Sequence, residues 1–103
     1  MTRIEERLRS RMQALRAAVL EADGDAESTL RKAAFDGTPR DPRVARFVEK
    51  VRHASYKVDA SDVDTLLAAG LGEGAIFEVT LAAALGEGLR RLRIGLSLLG
   101  GAR

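Results

Sequence analysis

The hydrophobic positions fall into five clusters, each spaced at three and four residues, and no stretch alternates apolar with polar at the period of a strand. The last cluster is the most pronounced. Phe77, Leu81, Ala84, Leu85, Gly88, Leu92, Leu96 and Leu99 recur at the steps that place side chains one above the other on a helix, which predicts a long helix over Gly74–Leu99. Ile76, Ala82 and Ala83 widen its apolar face beyond a simple stripe. This helix is expected to be the hub, covered on more than one side by shorter helices from upstream.

Four such helices are predicted. The first spans Thr2–Ala22, with Thr2 as cap, Glu5 three residues on, and Ile4, Leu8, Met12, Leu15 and Val19 as its apolar stripe. Asp23-Gly24-Asp25 turns the chain, and Asp25 is expected to cap a short helix over Ala26–Phe35 with Leu30, Ala33 and Ala34 inward. Asp41 followed by Pro42 starts the third, which runs to about Tyr56 with Val44, Phe47, Val48 and Val51 inward. Ser61 is expected to cap the fourth, with Asp62 and Asp64 in its first turn, Val63, Leu66 and Leu67 inward, and Gly70 closing it.

Composition agrees with an all-α chain. Ala and Leu dominate the 46% of hydrophobic residues and aromatics are only 4%, a mix that favours helix over sheet. A length of 103 residues fits one helical domain, 1–103. No cysteine is present, which excludes thiol chemistry, disulfides and Cys-based zinc sites, and a single histidine cannot build a His-rich metal centre. No metal and no cofactor are therefore expected. No apolar segment approaches the roughly 20 residues of a membrane span, and the N-terminus has no hydrophobic block, so a cytoplasmic protein without a membrane partner is the expectation. The net charge of +2 is too small to imply nucleic acid, and fourteen Arg against three Lys favours two-point pairing with carboxylates.

Several residues carry candidate chemistry. His53 and Tyr56, three apart, would share a helical face and offer acid–base work near neutral pH, or else sit at a helix rim. Glu78, in the most apolar helix, is either a desolvated base or a first-turn carboxylate facing water. Gly70, Gly72 and Gly74 look like a phosphate loop, but no strand precedes them and the spacing is wrong; a helix stop, link and restart explain them. Arg90, Arg91 and Arg93 form a basic cluster, yet Ala75-Ile76-Phe77-Glu78 offers few donors to base edges, which argues against a nucleic-acid partner. Phe77, Leu81, Ala84, Gly88, Leu92 and Gly95 make the expected interface of a homo-oligomer, because the helix holds more apolar surface than so short a chain can cover.

A longer-range pattern runs from Pro42 onward. Phe47 and Lys50 are followed by Val58, Asp62-Val63 and Leu66, then by Ala69-Gly70-Leu71, Ile76-Phe77-Glu78 and Leu81-Ala82. Ala84, Arg91-Leu92 and Gly95-Leu96 complete it. In this order the residues resemble the alkylhydroperoxidase-D-like, or carboxymuconolactone decarboxylase-like, proteins. Gly86-Glu87-Gly88-Leu89-Arg90 stands where many members carry an Asn- and Phe-rich run. The family's Cys-x-x-Cys motif and its histidine fall, by an ungapped count, near Arg9, Met12 and Arg16, none of which does thiol chemistry. The resemblance implies a compact five-helix all-α domain and self-association, commonly as trimers or multiples of three. It leads to the expectation of a non-catalytic or accessory member that self-associates and partners an enzyme. The alternative is a cysteine-independent decarboxylase- or isomerase-like enzyme on a small acidic substrate, with arginines on the carboxylate and His53 or Glu78 as base.

Overall fold

Thr2 Oγ1 accepts a hydrogen bond from the Glu5 amide at 3.1 Å and starts the first helix, as its position before an apolar run requires. This is the first contact in a computed structural model that describes residues 2–101. The described residues form five α-helices and no strand: α1 (Arg3–Leu20), α2 (Ser28–Asp36), α3 (Pro42–Ala54), α4 (Ala60–Ala68) and α5 (Glu73–Gly101), with a 3-10 turn at Ser55–Lys57.

Two caps differ from expectation. α2 begins at Ser28 with Glu27 at its N-cap, not at Ala26 behind Asp25. The Asp25 and Ala26 amides are instead taken by the Glu78 carboxylate of α5, which holds the turn in place of a helix. α4 is capped by Asp59, not Ser61: Asp59 Oδ1 accepts from the Ser61 and Asp62 amides, and Asp62 Oδ2 accepts from the Asp59 amide at 2.9 Å, a reciprocal capping box. The other punctuation follows the sequence. Asp41 caps α3 with Pro42 at its first position. Gly70 takes φ +95° and ends α4, its amide bonding to Leu67 O and that of Leu71 to Leu66 O. Both bonds need the left-handed conformation that glycine adopts at no steric cost.

α5 meets all four other helices, most extensively α2. Its 29 residues make a rod of about 43 Å, which sets the 50 Å long axis of the molecule. Around it lies one continuous core. α3 contributes Val44, Phe47, Val48 and Val51, the four positions its pattern predicts. Leu20, Ala34 and Leu66 come from α1, α2 and α4.

The face that α5 turns inward is not the large-residue stripe. Ala75, Ile76, Val79, Ala82, Ala83 and Leu89 are buried, whereas Phe77 is 66% exposed and Leu81, Leu92 and Leu99 also face solvent. Ala84, Gly88 and Gly95 are exposed with them. Close approach explains the choice. α2 crosses α5 at Gly86, where a Cβ would overlap the Phe35 carbonyl group. Only the small-residue side of α5 admits a backbone at that distance, so the bulkier side is left outward. α1 is likewise covered mainly at its C-terminal end. Leu20 is buried, Leu8, Met12 and Val19 are half-buried, and Ile4 and Leu15 of the expected stripe are exposed. Among the described residues no single helix is long and apolar enough to cross a membrane.

Gly86 supplies a test in which two effects oppose. Helix propensity alone makes Gly→Ala a gain of about 0.5–1 kcal/mol. Overlap with a backbone carbonyl, which no rotamer relieves, costs about 1–3 kcal/mol. Gly86→Ala is therefore expected to destabilise the fold, read as a lower urea midpoint at unchanged slope.

Candidate functional site

The last turn of α2 leaves the Phe35 carbonyl without a helical partner, and α3 supplies one. Arg52 Nη1 donates to Phe35 O at 2.6 Å, where a cation at a helix C-terminus is favoured. Its Nη2 donates to Glu87 Oε2 at 3.1 Å. Glu87 is only 5% exposed, an expensive place for a carboxylate unless it is paired. It is paired three times over. Arg90 donates from Nη2 to Oε1 at 2.7 Å and from Nε to Oε2 at 3.1 Å, and Arg91 Nε donates to Oε1 at 2.9 Å. The hydrogen bonds from Arg90 and then Arg91 hold the carboxyl down at about 2, against burial, which pushes it up. Of the basic cluster at the end of α5, two members are thus engaged internally.

Glu87 is not among the candidate residues of the sequence pattern. A local signal exists, since Arg90 and Arg91 follow it at helical spacing. Arg52, which joins from another helix, leaves no such trace.

The Phe35 ring faces the opposite way, toward α1. The Arg16 guanidinium lies over it, 5.3 Å from its centroid. Beside this stack a cleft of about 170 Å³ opens between α1, α2 and α5, with Met12, Leu89 and Phe35 as apolar lining and Arg9, Arg16, Arg93 and Gln13 as polar lining. Among the described residues, Arg9, Arg16 and Arg93 form no ion pair and no hydrogen bond to a carboxylate; the ion pairs involve other residues. Arg9, Met12 and Arg16, the positions the resemblance aligns with a redox motif, all line this one cleft.

The other candidates lie apart from it. α3 stops at Ala54, so Tyr56 belongs to the 3-10 turn, 84% exposed, and not to the face of His53. His53 Nε2 lies 3.9 Å from Glu49 Oε2 on the helix surface. Glu78 is half-buried and its carboxylate is engaged by backbone donors. Its two oxygens accept the Asp25 and Ala26 amides at 3.0 and 2.6 Å and staple the α1–α2 turn to α5. Gly70 and Gly72 belong to a helix stop and link, with α5 restarting at Glu73 just before Gly74. Arg31, unremarked in the sequence, is 5% exposed; its Nη1 donates to Val19 O at 2.9 Å, and Ser28 Oγ donates to Leu20 O, so α2 satisfies the end of α1. Lys50 Nζ reaches the Asp62 carboxylate at 2.8 Å, which joins two residues of the sequence pattern across α3 and α4.

Compared with family models, curated proteins and solved structures, the chain finds no match in any of the three.

The Glu87 network makes acid stability depend on one carboxyl. Its value in the fold, about 2, lies below the ordinary 4.5, so its contribution is complete above the ordinary value and is lost as pH falls from 4.5 toward 2. Glu87→Gln leaves the Arg52 guanidinium, only 10% exposed, without its charge partner, and such a break costs about 3 kcal/mol or more. The melting temperature of Glu87→Gln is expected well below wild type at pH 7, with the gap narrowing as the pH is lowered through that window.

Proposed function

We propose that this chain is a non-catalytic, self-associating helical protein of the alkylhydroperoxidase-D-like kind that serves as an accessory partner to an enzyme. The observation that carries the reading is the outward face of α5. Phe77, Leu81 and Leu92 stand exposed along it, with Ala84, Gly88 and Gly95 between and beyond them. Among the described residues, and apart from the helix's own adjoining backbone, no heavy atom lies within 4 Å of where a Cβ would stand at Gly88 or at Gly95. Two glycines inside a helix cost about 1 kcal/mol each relative to alanine. Among the described residues no other segment packs against these two positions, whereas a second backbone laid into the seam would.

Charge along the rod supports a second copy as the occupant. Asp23, Asp25 and Glu73 are exposed at the N-terminal end of α5, and Arg90 and Arg91 near its other end. Two copies of α5 packed antiparallel about Ala84 set acidic end against basic end at both rims, the self-complementary arrangement a two-fold interface demands. The family pattern from Pro42 to Leu96 and the Lys50–Asp62 pair support the assignment of kind. Against the enzyme alternative stands placement: neither His53 nor Glu78 lines the arginine cleft, and Glu78 already accepts two backbone amides.

Light scattering at micromolar concentration tests the reading. Wild type is expected at a multiple of 11.1 kDa, and Leu81→Glu, which sets a charge in the seam at an exposed position, is expected to shift it toward monomer. A wild type that runs at 11.1 kDa overturns the proposal. A second outcome bears on residues: His53→Ala, on an exposed rim, is expected to leave partner binding within about twofold and cost about 1 kcal/mol or less. A tenfold loss with the fold intact would restore the enzyme alternative.

A further inference from the structure

We propose that the cleft between α1 and α5 binds a small carboxylate with an apolar body, such as an aryl or short-chain acid. Three features of the site converge on that chemistry. Arg9 and Arg16 from α1 and Arg93 from α5 line one opening. A guanidinium presents a fork of donors matched to a carboxylate, and among the described residues these three are not spent on any acid. Nearby Arg90 and Arg91, on the same helix as Arg93, both pair with Glu87. The guanidiniums of the cleft, by contrast, have no carboxylate partner among the described residues.

The lining adds selectivity. Met12, Leu89 and the Phe35 ring line the opening with apolar surface, which an inorganic anion would leave unused and an apolar body would bury. The volume, about 170 Å³, is close to the roughly 150 Å³ of an apolar cavity that takes one benzene ring. Arg16 is held against Phe35 by its stack over the ring, and the other side of Phe35 is fixed by the bond from Arg52 to its carbonyl. At least one of the three forks is thus ordered before a ligand arrives, which lowers the entropic cost of binding. Among the described residues no acid or histidine lines the cleft, and the inference is of binding. It stands whether or not the outward face of α5 pairs with a second copy, because the two surfaces use different residues.

The test titrates benzoate into the full chain and follows backbone amide shifts, with acetate, benzyl alcohol and inorganic phosphate as separate probes. Saturable shifts centred on Met12, Arg16, Phe35 and Leu89 are expected with benzoate. Acetate lacks the body and benzyl alcohol the charge, so each is expected to bind at least about tenfold more weakly, the factor for 1.4 kcal/mol. Arg93→Gln alters an exposed position of α5 and is expected to keep the helical spectrum while weakening benzoate by about tenfold; Arg9→Gln supplies the same test from α1. Shifts that fail to saturate, phosphate binding as tightly as benzoate, or unchanged affinity in both variants would each overturn the proposal. Light scattering on the same samples separates this result from that of self-association.

Discussion

The Phe35 carbonyl is the point at which most of this structure meets. It belongs to the last turn of α2, it lies against Gly86 of α5 so closely that a side chain there has no room, and it accepts from Arg52 of α3 at 2.6 Å. Three helices are thereby fixed by one oxygen. The arrangement brings a guanidinium into the interior, where an unpaired cation would not be tolerated. Glu87, one residue beyond Gly86, answers it. The close crossing and the buried charge network are one device: the glycine lets α2 in, and the carboxylate compensates the arginine that α2 attracts.

From that junction the remaining features follow in order. Glu87 has more acceptor capacity than Arg52 uses, and Arg90 and Arg91 fill the rest from the next turn of the same helix. Arg93, pointing elsewhere, is left without an acid. On the far side of Phe35 the ring carries Arg16, and the opening beside it collects Arg9 and Arg93. An internal network that consumes some arginines and spares others is what gives the cleft its charge. Glu78 performs a similar service at the other end of α5, accepting two amides of a turn that has no cap of its own.

The close crossing also decides what α5 shows to solvent. With Ala75, Val79, Ala82, Ala83 and Gly86 turned to α2 and the core, Phe77, Leu81 and Leu92 are carried outward. A rod of this length extends beyond the shorter helices that pack on it, and an apolar outward face remains.

Elements whose pattern and caps are local were legible in the sequence. The five helices, the Asp41-Pro42 start, the Gly70 stop and all four buried positions of α3 follow from spacing and from which side chains satisfy terminal amides. The caps of α2 and α4 each lie two residues from the expected position, in the first case because the donors near Asp25 are satisfied by a carboxylate 52 positions away. The face chosen by α5 was not legible, because hydrophobicity ranks Phe and Leu above Ala and Gly, while burial here is decided by how near a second backbone must come. Nor were Glu87 with Arg52, the buried Arg31, or the meeting of Arg9 and Arg16 with Arg93. Periodicity reports which residues share a face of their own helix; which helix that face meets, and at what distance, is set by packing between segments far apart in the chain.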